Sequence, residues 1–264
     1  MSDSRQHDRR GIGRQIGAIG TSKHSRGFAV GPTIGFPGTR AGVKCANASL
    51  AGGSIMHVLF RGTTVIPVVT IERERDAVPL ARALFEGGLP VIEITLRTAA
   101  AAPAIAAIAR QLPQIAVGAG TLLRAADVAT AVQAGARFLV SPGMTSELAA
   151  TALAAELPYL PGVATPSEVM MARALGICVM KFFPAEALGG VSWLRALAPV
   201  FPGVVFCPTG GIDEASAADY LALPNVPMVG GSWMAPKEAI AAGDWGRVRR
   251  LAERAAAIGR QEAA

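Results

Sequence analysis

From residue 65 onward, eight short apolar runs alternate with alanine- and leucine-rich segments, and this alternation constrains the fold more than any other feature. The runs span 65–69, 91–95, 115–118, 138–141, 159–161, 179–183, 204–207 and 227–230. Between them lie helical patterns over 74–85, 99–111, 125–134, 146–156, 167–175, 191–200 and 214–221. The run starts recur every 20 to 26 residues, the length of one strand, one helix and two loops. Strands this short and this uniformly apolar are buried on both faces, which implies a parallel sheet covered by helices.

Eight such units can close into a (β/α)8 barrel or stay open as a doubly wound sheet. The polar residues decide between them. Nearly every run ends in a small or chemically useful residue: Glu93 and Arg97, Gly120 and Thr121, Ser141 and Pro142, Lys181, Thr209, Ser232. A barrel gathers the carboxyl ends of all its strands around one mouth, whereas an open sheet uses one or two switch points. The expected fold is therefore α/β, a single-domain (β/α)8 barrel over 54–264. A closing helical region over 236–261 follows the last strand, with Asp244 as its N-cap and an apolar stripe of Val248, Leu251, Ala255 and Ile258.

Residues 1–53 are rich in Gly, Ser and Arg and lack both periodicities. They are expected to be a disordered or loosely attached extension, or to precede a translation start near Met56. A short helix over 55–61, capped by Ser54, is expected to lead into the first strand. The net charge of +6 sits entirely in this part. Residues 1–55 hold eight Lys/Arg against two Asp/Glu, and residues 56–264 hold 17 of each. An electrically balanced body argues against a nucleic-acid footprint. No apolar run reaches the roughly 18 uncharged residues of a membrane span. Three cysteines, Cys45, Cys178 and Cys207, make no disulfide framework, so a reducing cytoplasm is the default, with Cys178 and Cys207 as packing residues.

Lys181 carries the sharpest chemical signal. It sits in the apolar run before Phe182-Phe183-Pro184. Lysine is rarely buried, because its ammonium loses hydration there. One reading is a side chain that reaches water at a strand end. The other is a desolvated amine able to attack a carbonyl and form a Schiff base. Glu93 alternates with Ile92 and Ile94, so period 2 places Glu93, Thr95 and Arg97 on the lumen face if the strand runs that far. These could be a structural ion pair of Glu93 with Arg97, or a general acid–base beside a carboxylate-binding fork. Val117 to Thr121, Ser141-Pro142-Gly143 and 161–166 form tight turns at the mouth. Thr209-Gly210-Gly211 and Gly230-Gly231-Ser232 end the last two runs, where paired glycine turns can present N–H groups to an anion. His7, His24 and His57 all precede the first strand, so a histidine base inside the barrel is not expected, and the body has no CxxC, no HExxH and no zinc-ligand set, while Glu93 and Glu186 alone are a thin basis for a carboxylate-bound Mg²⁺.

Taken together, Val-Ile-Glu-Ile-Thr-Leu-Arg-Thr at 91–98, Val-Gly-Ala-Gly-Thr at 117–121, Ser-Pro-Gly at 141–143, Lys-Phe-Phe-Pro-Ala-Glu at 181–186, Cys-Pro-Thr-Gly-Gly-Ile at 207–212 and Gly-Gly-Ser-Trp at 230–233 resemble the 2-keto-3-deoxy-6-phosphogluconate and 4-hydroxy-2-oxoglutarate aldolases. The resemblance covers about residues 58–260 and departs only in the amino-terminal extension, where Gly52-Gly53 interrupt the family's first helix. It implies a class I aldolase with no cofactor or metal, a cytoplasmic homotrimer with no nucleic-acid or membrane partner. Cleavage of the phosphorylated sugar acid to pyruvate and glyceraldehyde 3-phosphate is expected. The alternative is 4-hydroxy-2-oxoglutarate cleaved to pyruvate and glyoxylate. By resemblance, Lys181 is the Schiff-base lysine and Glu93 the catalytic acid–base. Arg97 and Thr121 hold the substrate carboxylate, and Thr209, Gly210, Gly211, Gly231 and Ser232 its phosphate. Pro142 and Phe183 line the pocket.

Overall fold

The computed structural model of the protein describes residues 62–258. The expectations for residues 1–53, for the helix over 55–61 and for the end of the closing helix lie outside them. In chain order the elements are β1 (Val65–Val69), α1 (Ala77–Glu86), β2 (Val91–Thr95), α2 (Ala101–Gln111), β3 (Ala116–Gly120), α3 (Ala125–Gln133), β4 (Leu139–Val140) and α4 (Ser146–Ala154). There follow β5 (Tyr159–Leu160), β6 (Gly162–Val163), α5 (Pro166–Ala174), β7 (Val179–Phe182), α6 (Gly190–Leu197), β8 (Val205–Pro208), α7 (Ala217–Leu221), β9 (Val229–Gly231), α8 (Lys237–Ala242) and α9 (Trp245–Ala257).

All strand pairs are parallel. Six strands run in the order β5-β4-β3-β2-β1-β9, and three in the order β6-β7-β8. The two sheets are one ring. β5 and β6 are halves of a single extended run, parted at Pro161, whose carbonyl still accepts from the Lys181 N–H at 2.9 Å. A bridge between Thr209 and Gly230 joins β8 to β9. The barrel is thus an eight-membered circle, and the open-sheet rival falls.

Period 2 sorts the strand residues as expected. Ile66, Val91, Phe138, Leu160, Val179 and Met228 belong to a buried cluster inside the circle. Ile92, Ile94, Val117, Met180, Phe182 and Phe206 belong to the larger cluster between strands and helices. Phe182 stacks on Trp193 of α6 at 4.1 Å, and Trp193 meets Phe206 edge-on at 5.8 Å. Ile92 and Ile94 are 1% and 0% exposed, and burial of each contributes about 1.5–3 kcal/mol. A one-residue slip would forfeit that and turn Glu93 toward the helices. The apolar flanks therefore hold the carboxylate in the lumen.

Several helix starts are fixed just past the strand ends by capping. Thr145 accepts from the Leu148 N–H at 3.2 Å. Thr165 and Glu168 form a capping box, with Pro166 in the first turn. Asp244 caps α9 through the Arg247 N–H at 2.9 Å, as expected. α9 packs on α1 so closely that a Cβ at Gly87 would lie 2.5 Å from the Ala252 methyl. Some element ends differ from expectation. β3 runs through Gly120, because its glycines are covered by Phe138 and Glu93 instead of ending the strand. The segment before α7 is a turn, because Asp213 binds the N–H groups of Ala215 and Ser216 and the hydroxyl of Ser216. Cys178 is buried, as expected of a packing residue.

Candidate active site

β2 and β7 face each other across the lumen, and their inward residues meet. Lys181 Nζ lies 3.1 Å from Glu93 Oε1 and 3.4 Å from Oε2. The two side chains are 7% and 5% exposed. Glu93 is therefore paired with Lys181 and not, as one sequence reading had it, with Arg97. Arg97 lies too far along for that pairing, because β2 ends at Thr95 and the chain turns. An unpaired buried charge costs several kcal/mol, so each of these two ions makes the other tolerable.

The surroundings are shaped for this pair. β3 lies beside β2 with Gly120 opposite Thr95. The position a Gly120 side chain would take is filled by the Glu93 carboxylate. Gly120 thus acts as a seat, and any larger residue would push the carboxylate off. On the other side, β6 places Gly162 next to Lys181, and the Pro142 carbonyl occupies the space a Gly162 side chain would need. The Phe183 ring centroid is 5.5 Å from Lys181 Nζ, over the ring face. β8 places Cys207 beside Lys181. Burial pushes its thiol up to about 12, so Cys207 stays protonated and serves packing.

At the mouth, Arg97 Nε donates to Thr121 Oγ1 at 3.2 Å. The Arg97 turn is stapled on both sides. The Leu96 N–H donates to Gly120 O at 2.8 Å, and the Thr98 hydroxyl to Ile71 O at 2.5 Å. Thr121 has φ +61, a left-handed conformation that costs a β-branched residue about 1–3 kcal/mol. Nothing in the sequence signals it. The strain is what lifts the hydroxyl out of the strand and toward Arg97.

The two glycine turns adjoin through the Thr209–Gly230 bridge. Gly210 and Gly211 have φ +102 and +83. Gly231 lies against the Trp233 indole, in space a side chain would need. Neither the Gly211 nor the Ser232 N–H donates to a backbone carbonyl among the described residues. Among those residues, too, no group of three or more His, Cys, Asp or Glu could hold a metal ion, and no helix is long and apolar enough to cross a membrane.

A parallel eight-stranded barrel with a buried lysine–carboxylate pair at its carboxyl-terminal mouth defines the class as a (β/α)8 barrel equipped for amine–carbonyl chemistry. The family model for KDPG and KHG aldolases matches residues 56–251. The chain is 49% identical over 200 residues to the 2-dehydro-3-deoxy-phosphogluconate aldolase of Pseudomonas aeruginosa, covering 76% of this chain and 91% of that one. It is 48% identical over 191 residues to the KHG/KDPG aldolase of Escherichia coli, covering 72% and 90%. The KDPG aldolase of Legionella pneumophila, with pyruvate captured as a covalent carbinolamine, superposes with a TM-score of 0.72 at 46% identity, covering 74% and 95%. The chain belongs to the KDPG and KHG aldolase family.

Proposed function

We propose that the protein is a class I aldolase that cleaves 2-keto-3-deoxy-6-phosphogluconate to pyruvate and glyceraldehyde 3-phosphate. The observation that carries the aldolase chemistry is the buried contact of Lys181 with Glu93 at 3.1 Å, and the adjoining glycine turns motivate the phosphorylated substrate. The reaction needs a neutral amine, and the adjacent carboxylate is the acceptor for the proton that the ammonium must lose. Lys181 attacks the C2 ketone to give a carbinolamine, the species in which the Legionella pneumophila relative holds pyruvate. Glu93 returns the proton it took from the ammonium to the departing hydroxyl, so that loss of water gives an iminium, a cationic electron sink, and leaves Glu93 a carboxylate again. Glu93 removes the proton of the C4 hydroxyl, the C3–C4 bond breaks, and its electrons pass to the iminium as an enamine. The aldehyde leaves. Protonation at C3 and hydrolysis then release pyruvate and the free amine. The Phe183 ring faces the iminium position, where a cation over a ring is worth about 0.5–2 kcal/mol.

Arg97 and Thr121 hold the substrate carboxylate, which orients C2 toward Lys181. Thr209, Gly210, Gly211, Gly231 and Ser232 hold the phosphate, and the N–H groups of Gly211 and Ser232, which donate to no backbone carbonyl among the described residues, support that role. Pro142 and Phe183 wall the pocket. The protein acts as a homotrimer, and the exposed apolar side chains of Met170, Met171 and Leu175 offer surface for a subunit contact.

The test is pyruvate release with chelator present, comparing kcat/KM for the phosphorylated sugar acid and for 4-hydroxy-2-oxoglutarate. A preference of about 100-fold for the former, or about 2.7 kcal/mol of transition-state stabilisation, is expected. Equal rates would retain the lysine chemistry and move the main substrate to 4-hydroxy-2-oxoglutarate.

The seat at Gly120 yields a second expectation. Gly120→Ala should fold yet lose about 10²-fold in kcat, the scale of an ångström-sized misplacement of a reacting group. KM should change little, because Arg97 and the glycine turns are untouched. A kcat equal to wild type would show that Glu93 finds its place without the glycine.

A further inference from the structure

The proposed phosphate turn rests on an acid whose charge is directed away from it. The Glu186 N–H donates to Gly210 O at 3.1 Å, and the Ala185 N–H to Thr209 O at 2.9 Å, so this short segment carries the Thr209–Gly211 turn. A Cβ at Gly211 would lie 2.6 Å from both Cβ and Cγ of Glu186, and the next nearest atom is its Cα at 3.9 Å. The stem of Glu186 therefore faces the turn, and its carboxyl group lies farther off. That carboxylate accepts from the Tyr220 hydroxyl at 2.5 Å. Tyr220 is 1% exposed and fixed in the core. Gly190 makes room for the hydroxyl, since a Cβ there would lie 2.7 Å from it. Burial and the adjoining Glu186 carboxylate hold the phenol well above its ordinary range, so it remains a donor.

We infer that Tyr220 is a positioning residue for phosphate selectivity, because its hydroxyl restrains the Glu186 carboxylate and keeps that charge out of the turn at Gly211 and Ser232. The inference rests on the assignment of this turn to the substrate phosphate. A released Glu186 would be an anion tethered beside the N–H groups that the phosphate needs, and it would compete at high effective concentration. It would also repel a phosphate that did arrive.

The test compares the phosphorylated sugar acid with 2-keto-3-deoxygluconate, the same acid without its phosphate, and uses inorganic phosphate as an inhibitor. Tyr220→Phe should raise KM for the phosphorylated substrate and the inhibition constant for inorganic phosphate by about tenfold, with kcat held. Its kcat/KM for 2-keto-3-deoxygluconate should stay at the wild-type value. Adding Glu186→Gln to Tyr220→Phe should restore both phosphate-dependent constants, because no charge is left to compete, and Glu186→Gln alone should resemble wild type. A KM that rises equally for both substrates, or that the second substitution fails to restore, would make the pair a structural brace and overturn the inference. An unchanged Tyr220→Phe enzyme would overturn it as well. The wild type separates this from failure of the phosphate assignment. A wild-type enzyme that handles both acids alike and ignores inorganic phosphate removes the assignment first, and the inference with it.

Discussion

Lys181→Ala should lower kcat by about 10⁴–10⁶-fold, the scale on which removal of a covalent nucleophile acts. Wild-type protein incubated with pyruvate and borohydride should gain the mass of one reduced pyruvate adduct, on the peptide that contains Lys181, and the variant should gain none. Alanine also leaves the Glu93 carboxylate buried without its partner, which costs about 3–5 kcal/mol. Loss of activity alone would thus confuse chemistry with unfolding. Lys181→Arg removes the ambiguity. A guanidinium keeps the charge beside Glu93 but stays protonated and cannot attack a ketone. This variant should remain folded by thermal unfolding, remain inactive, and form no adduct. Turnover near wild type in either variant would end the Schiff-base mechanism for this residue.

Glu93→Gln should lower kcat by about 10²–10⁴-fold, the range of a lost general acid–base group. Glutamine is nearly isosteric, so Gly120 still seats it, and its amide oxygen can still accept from Lys181. KM should therefore change little. The borohydride adduct with pyruvate should still form, more slowly, because the lysine remains but its proton acceptor has gone. That split separates the two members of the pair: loss of Lys181 removes the adduct, whereas loss of Glu93 slows steps around it. A Glu93→Gln enzyme with wild-type kcat would assign the proton transfers to another group. One that makes no adduct at all would give Glu93 an obligatory part in amine activation.

The candidate catalytic residues stand out in the sequence because each is improbable in its local setting. Lys181 stands in an apolar run, and Glu93 is flanked by Ile92 and Ile94. The faces of β2 were readable for the same reason, since alternation is a local property of the extended chain. The partner of Glu93 was not readable. Arg97 was near in sequence and oppositely charged, whereas Lys181 is 88 residues away. The β2 strand ends two residues short of Arg97, and that small difference breaks the expected pairing. Glycines were equally ambiguous in sequence. Gly120 and Gly211 had the look of turn residues, yet their missing side chains make room for Glu93 and Glu186 respectively. The left-handed Thr121 carries no signal at all, because its residue type argues against the conformation it adopts.

The sequence by itself determined the repeating strand–helix unit, the number of units in the barrel and the inward direction of its catalytic candidates. These follow from period-2 and 3.6-residue patterns, which act over a few residues. Only the tertiary structure decided which charge neutralises which, which missing Cβ seats which carboxylate, and where the Tyr220 hydroxyl holds Glu186. Those outcomes depend on closure of the ring through Pro161 and the Thr209–Gly230 bridge. Closure sets distances across the lumen and between neighbouring turns, and those are distances between strands that no local pattern along one of them contains.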